Sequence, residues 1–135
     1  MNMVARKNRE ASDCTAMVVD DDALVRLGTM AMVREFGFAL NTAPDGPSAL
    51  VLIDGGKMPD ILITDYDMPG MTGVELARNV TDQREDVDVL IVTGHTTLPE
   101  VLPERWKILR KPFTLAEFTR KLQSFGIQSA VPAIS

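Results

Sequence analysis

Several things are scarce in this sequence, and each scarcity closes off a class of function. Cysteine occurs once, as Cys14, so no intramolecular disulfide can form and a redox-stapled secreted scaffold is excluded. Histidine also occurs once, as His95, which excludes a transition-metal centre built from several imidazoles. Cations are outnumbered, with 14 Lys and Arg against 19 Asp and Glu and a formal net charge of -5. That balance gives no electrostatic reason to approach phosphodiester backbones, so direct nucleic-acid binding is not expected. Long apolar runs are missing too. None nears the roughly 18 residues that a membrane span needs, and the polar stretch from Met1 to Glu10 is followed by no signal-like hydrophobic segment. The reading is a cytoplasmic protein whose first 15 residues form a loose leader.

What is present fits one soluble globular domain: 45% hydrophobic and 24% charged residues in a chain long enough to bury a core. No repeat, low-complexity tract or second domain is apparent. Ala16 to Val19 is a short apolar run that breaks into three acids, Asp20, Asp21 and Asp22, as a buried strand does where it meets a loop. Ala23 to Phe36 is the first helix, with Leu24, Leu27, Gly28 and Ala31 on one face and Gly37 closing it. Phe38 to Ala43 reads as a second strand. The turn Pro44 to Pro47 leads into a helix over Ser48 to Asp54.

The pattern of a strand followed by acids then repeats. Ile61 to Thr64 is apolar and stops at Asp65 and Asp67. Thr72 with Glu75 and Thr114 with Glu117 both match the capping box, predicting helices over Gly73 to Val80 and Leu115 to Phe125. In the second, Leu115, Phe118, Leu122 and Phe125 make a core-facing stripe. Val87 to Val92 and Lys107 to Arg110 are the fourth and fifth strands. The domain spans 16 to 126, and 127 to 135 reads as a tail.

Alternating strands and helices predict an α/β fold, a parallel five-stranded sheet with helices on both faces, whose ligands gather at the carboxyl ends of the strands. Five polar residues fall at those ends: Asp20, Asp21, Asp65, Thr93 and Lys111. In strand order 2-1-3-4-5 they converge. Three carboxylates so close repel one another and call for a cation among them; an all-oxygen site suits magnesium or manganese. A carboxylate can take a phosphoryl group as an acyl phosphate, provided the charge on the transferring oxygens is stabilised. Asp65 is the candidate nucleophile, Lys111 the point charge and Thr93 the hydrogen-bond donor. Asp22 reads as a helix cap rather than a ligand.

These residues sit in four motifs: Met17-Val-Val-Asp20-Asp21-Asp22, Ile61-Leu-Ile-Thr-Asp65-Tyr-Asp-Met-Pro69-Gly-Met-Thr-Gly73, Val92-Thr93-Gly94 and Arg110-Lys111-Pro112-Phe113. In this order and spacing the sequence resembles the response-regulator receiver family over about 16 to 125. The resemblance implies a flavodoxin-like (βα)5 three-layer sandwich. It implies phosphorylation of Asp65 with Mg2+ by a histidine kinase or phosphotransfer protein, in a phosphorelay that signals through a downstream protein partner. It further implies that the backbone carbonyl of Asp67 joins the metal ligands and that the bond before Pro112 is cis.

Two departures stand out. Thr93 and Lys111 are 18 positions apart, and the interval holds Pro99 and Pro103, so the fourth helix should be short or absent, as in receivers of hybrid kinases. Ile108 occupies the position where the family often has a switching aromatic, with Trp106 two residues earlier. His95 reads either as a surface residue or as a side chain near the phosphoryl group. Two other functions stay open: a haloacid-dehalogenase-type phosphatase using Asp65-Tyr-Asp67, and an interaction domain that works without phosphorylation. A homodimer is open as well.

Overall fold

The computed structural model describes residues 8–130. Seven strands and four helices lie along it: β1 (Arg9–Glu10), β2 (Thr15–Val19), α1 (Ala23–Phe36), β3 (Ala39–Ala43), α2 (Gly46–Asp54), β4 (Ile61–Asp65), α3 (Gly73–Gln83), β5 (Asp88–Thr93), β6 (Lys107–Arg110), α4 (Leu115–Gln123) and β7 (Ile127–Gln128). The main sheet is parallel throughout, in the order β3-β2-β4-β5-β6. Counting the five expected strands, this is the order 2-1-3-4-5. The central strands β4 and β5 are buried on both faces, which is why they read as unbroken apolar runs rather than alternating ones.

Each sheet face has its own core. Val18, Ile63, Leu90, Val92 and Leu109 pack under Val33 and Phe36 of α1 and Phe118 and Leu122 of α4. On the other face Met17, Leu62, Val89 and Ile91 meet Ile53 of α2 and Val74, Leu76, Ala77 and Val80 of α3. Helix starts are fixed by side-chain caps. Asp22 accepts from the amides of Leu24 and Val25, Asp45 from Ser48, and Thr72 and Thr114 form complete capping boxes. Among the described residues no helix is long and apolar enough to cross a membrane.

Several expectations are corrected. The α1 face carrying Leu24, Leu27, Gly28 and Ala31 points outward, with Leu24 80% exposed. The helix buries Thr29, Val33 and Phe36 instead, and the Thr29 hydroxyl tolerates burial because it donates to the Val25 carbonyl at 3.1 Å. In α4 Phe118 and Leu122 are core, but Leu115 is 52% exposed. The helix ends at Gln123, so Phe125 reaches the core from the following turn. Asp45 starts α2 at Gly46, ahead of Ser48, and α3 continues past Val80 to Gln83.

Residues 94–106 form no helix at all, which is the absent member of the expected pair of outcomes. Pro99 and Pro103 lack the amides a helix there would need, while Trp106 fills the core beneath, with Leu98 and Leu102 packed against it. The segments read as leader and tail are partly built into the fold. Arg9 and Glu10 pair in parallel with Ile127 and Gln128, and Ala11 and Ile127 are fully buried. The rest of the leader and tail, residues 1–7 and 131–135, lies outside the described residues.

Candidate functional site

The parallel register delivers five polar side chains to one end of the sheet. Asp65 and Thr93 are the last residues of β4 and β5, while Asp20 directly follows β2 and Lys111 directly follows β6. Asp21 comes next to Asp20. Four of the five, Asp20, Asp21, Asp65 and Lys111, lie in direct reach of one another, while Thr93 ends the strand beside Asp65. Carboxylate oxygens of Asp20, Asp21 and Asp65 lie within 4.8 Å of one another. Lys111 Nζ donates to Asp65 Oδ1 at 2.9 Å and stands 3.9 Å from Asp20 Oδ2.

Burial makes this cluster electrostatically costly. Asp20 is 5% and Asp65 8% exposed, whereas Asp21 opens to solvent. Desolvation pushes both buried carboxyls above the usual aspartate range. The opposing effects are smaller: an amide hydrogen bond from Asp22 and the Lys111 charge for Asp20, and the Lys111 hydrogen bond and charge for Asp65. Burial works against the Lys111 ammonium as well, but the hydrogen bond and charge of Asp65, with Asp20 and Asp21 behind it, outweigh burial and raise its pKa. One ammonium among three carboxylates leaves an excess of negative charge. The donor set is all oxygen, so it suits a hard divalent cation that keeps part of its water shell.

Other contacts hold the site in shape. Asp20 Oδ1 accepts from the amide of Asp22 at 2.9 Å, and the Arg26 guanidinium donates to the Asp20 carbonyl at 2.6 Å. The loop after β4 is tied down by two backbone bonds of 2.9 Å, Tyr66 N–H to the Val92 carbonyl and Gly73 N–H to the Tyr66 carbonyl. Gly73 has to be glycine for reasons of space: a Cβ there would lie 2.2 Å from the Asp65 carbonyl oxygen. The Lys111–Pro112 bond is cis, as the resemblance implied.

Thr93 is buried and its hydroxyl accepts from the His95 amide at 3.0 Å, which leaves the hydroxyl proton to be given elsewhere. His95 is exposed, yet engaged. Its Nε2 is 2.8 Å from Asp67 Oδ2, and its ring meets Tyr66 edge-on at 5.7 Å. Tyr66 in turn donates to the Glu100 carboxylate at 3.1 Å. The Asp67 side chain therefore faces His95 on the outside of the site. The sequence signalled His95 only by its position two residues after Thr93. The contributions of Arg26, Glu100 and the Gly73 contact carried no signal beyond residue type.

The family description "Response regulator receiver domain" matches residues 16–123. Chemotaxis protein CheY of Pseudomonas aeruginosa is 34% identical over 115 residues, covering 79% of this chain and 91% of its own. Among solved structures, chemotaxis protein CheY4 of Vibrio cholerae superposes with a TM-score of 0.71 at 26% identity, over 82% of this chain and 97% of that one. Response regulator TrrA of Thermotoga maritima, solved in complex with Mg(2+)-BeF, gives 0.72 at 25% identity over the same shares. The receiver match takes in Asp65-Tyr-Asp67 and favours the receiver reading of this motif over the phosphatase one. With its parallel sheet, its acidic cluster at the strand ends and this match over most of its length, the chain belongs to the response-regulator receiver family of two-component signalling.

Proposed function

We propose that this receiver accepts a phosphoryl group on Asp65 from a histidine kinase or phosphotransfer protein and passes the signal to a downstream protein partner in the cytoplasm. The observation that carries the reading is the Asp65 carboxylate itself. It is buried, 2.9 Å from Lys111 Nζ and grouped with Asp20 and Asp21. An Asp65 oxygen attacks the phosphorus of a phosphohistidine; the O–P bond forms as the P–N bond breaks, and the leaving imidazole keeps the electron pair and takes a proton from solvent. Lys111 and the Thr93 hydroxyl offer a charge and a donor to the transferring oxygens.

Asp20, Asp21, Asp65 and the Asp67 backbone carbonyl would hold Mg2+, or Mn2+ in its place. When bound, the ion neutralises charge on the phosphoryl oxygens. The excess of carboxylates over ammonium supports this, as does the Mg(2+)-BeF complex of TrrA. The receiver unit is residues 16–126 together with the flanking residues that pack on it.

Titration with fluoroberyllate and Mg2+ tests the proposal. Mg2+ alone should shift the Asp65 amide in NMR spectra, and the amides of Asp65, Thr93 and Lys111 should shift to a new set of positions only when fluoroberyllate is added as well. Spectra unchanged at saturating reagent would favour the other reading, an interaction domain that works without phosphorylation, for which the missing helix between β5 and β6 speaks.

A further inference from the structure

Thr29 is a polar residue on an apolar face. It shares the buried side of α1 with Val33 and Phe36 and is 7% exposed. Its hydroxyl proton is committed to the Val25 carbonyl, 3.1 Å away, but a hydroxyl oxygen can also accept. Beside it lies a small cavity between α1 and the sheet, in which the centre of a water molecule has about 10 Å³ to move, room for one. The walls are aliphatic or aromatic except at three places, which are Thr29, Asp20 and Asp65. The two acids are the buried members of the strand-end cluster, and both are short of donors. Asp65 Oδ1 accepts from Lys111 and Asp20 Oδ1 from the Asp22 amide, while Lys111 Nζ stands 3.9 Å from Asp20 Oδ2, too far for a hydrogen bond. Among the described residues no protein donor bonds the second oxygen of either carboxylate.

We infer that this cavity is the site of one bound water that joins the Thr29 oxygen to the buried carboxylates, and that Thr29 is thereby a positioning residue for the acidic cluster. The site meets both conditions for an internal water, space and at least two polar partners. With its own proton given to Val25, the Thr29 hydroxyl meets the water as an acceptor. One O–H of the water donates to Thr29 Oγ1, and the other is left for a carboxylate oxygen of Asp20 or Asp65. The bridge steadies the acids from the α1 side, as Lys111 does from the β6 side, and keeps their remaining oxygens set for a cation; such outer contacts tune metal sites strongly. The competing reading is a dry cavity, in which the bond to Val25 alone satisfies Thr29. The effect on a cation rests on the metal site proposed above, whereas the water does not.

The test compares three full-length proteins: the parent, Thr29→Val, which keeps the shape but not the hydroxyl, and Thr29→Ser, which keeps the hydroxyl. A crystal structure of the metal-free parent should show one water within about 3 Å of Thr29 Oγ1 and of a carboxylate oxygen of Asp20 or Asp65. Thr29→Ser should keep that water and Thr29→Val lose it. In thermal melts with EDTA, Thr29→Val should fall below the parent because a buried carboxylate has lost a donor; in a dry cavity valine would match or raise the parent. Mg2+ titrations should show Thr29→Val binding about tenfold more weakly than the parent and Thr29→Ser within about twofold of it. The inference is overturned by a cavity without water in the parent, by Thr29→Val melting at or above the parent, or by one Mg2+ affinity in all three proteins. A parent that binds no Mg2+ overturns the metal reading instead, and the first two measurements still decide the water.

Discussion

Replacing Gly73 with alanine should destabilise the fold and weaken metal binding together, even though alanine is the better helix former. By propensity alone Gly→Ala within a helix stabilises by about 0.5–1 kcal/mol. Against this stands the space. The added Cβ would sit 2.2 Å from the Asp65 carbonyl oxygen, 3.0 Å from the Asp65 carbonyl carbon and 3.1 Å from Thr64 Cγ2, where ordinary contact begins at 3.4 Å. Two of the three neighbours are backbone atoms of a central strand, so the start of α3 must retreat by about 1 Å. Overpacking of that kind costs about 1–3 kcal/mol, so the clash wins. The retreat also strains the 2.9 Å bond from Gly73 N–H to the Tyr66 carbonyl, which fixes the loop that carries Asp67. Urea denaturation should show a lower midpoint with unchanged slope, and Mg2+ titration by calorimetry a weaker affinity. A variant as stable as its parent, with unaltered Mg2+ affinity, would refute the reasoning.

Further predictions follow from the electrostatics and the caps. Burial holds the Asp65 carboxyl above the usual range, so ionising it opposes folding, and its stability cost appears as pH rises through the unfolded value of about 3.8 toward the folded one. In EDTA, Asp65→Asn should therefore be more stable than the parent at pH 7 and show little gain at pH 3 in urea melts. Added Mg2+ should stabilise the parent more than the variant. The Cys14 thiol, raised by burial, should react with a disulfide reagent only as fast as the protein opens, and freely in denaturant. Thr114→Ala removes one half of the α4 capping box, close behind Lys111, and should lower stability by about 1 kcal/mol in thermal melts.

Much of this was legible in the sequence, for identifiable reasons. Strands buried on both faces leave unbroken apolar runs, and a run that ends in Asp65 or Asp20 marks where the sheet meets solvent. The capping boxes at Thr72 and Thr114 fixed two helix starts because the cap is a local interaction. Helix faces were harder to read. Leu24 and Leu27 are exposed while Thr29 is buried, since which side of α1 meets the sheet depends on the strands beneath it and not on the helix's own pattern. The pairing of Arg9–Glu10 with Ile127–Gln128 joins two-residue segments from opposite ends of the chain, too short to leave a periodicity. At the site, the acids and Lys111 were readable from their positions at strand ends. The contact of His95 with Asp67 bridges two loops whose paths only the folded sheet determines.

Intact-mass analysis after incubation with Mg2+ and acetyl phosphate tests the central claim most directly. The account predicts a single added phosphoryl group, stable in acid and lost in alkali, present in the parent and absent from Asp65→Asn. An adduct that persists in Asp65→Asn, or no adduct in the parent with this donor or with phosphorylated histidine kinases, would contradict it.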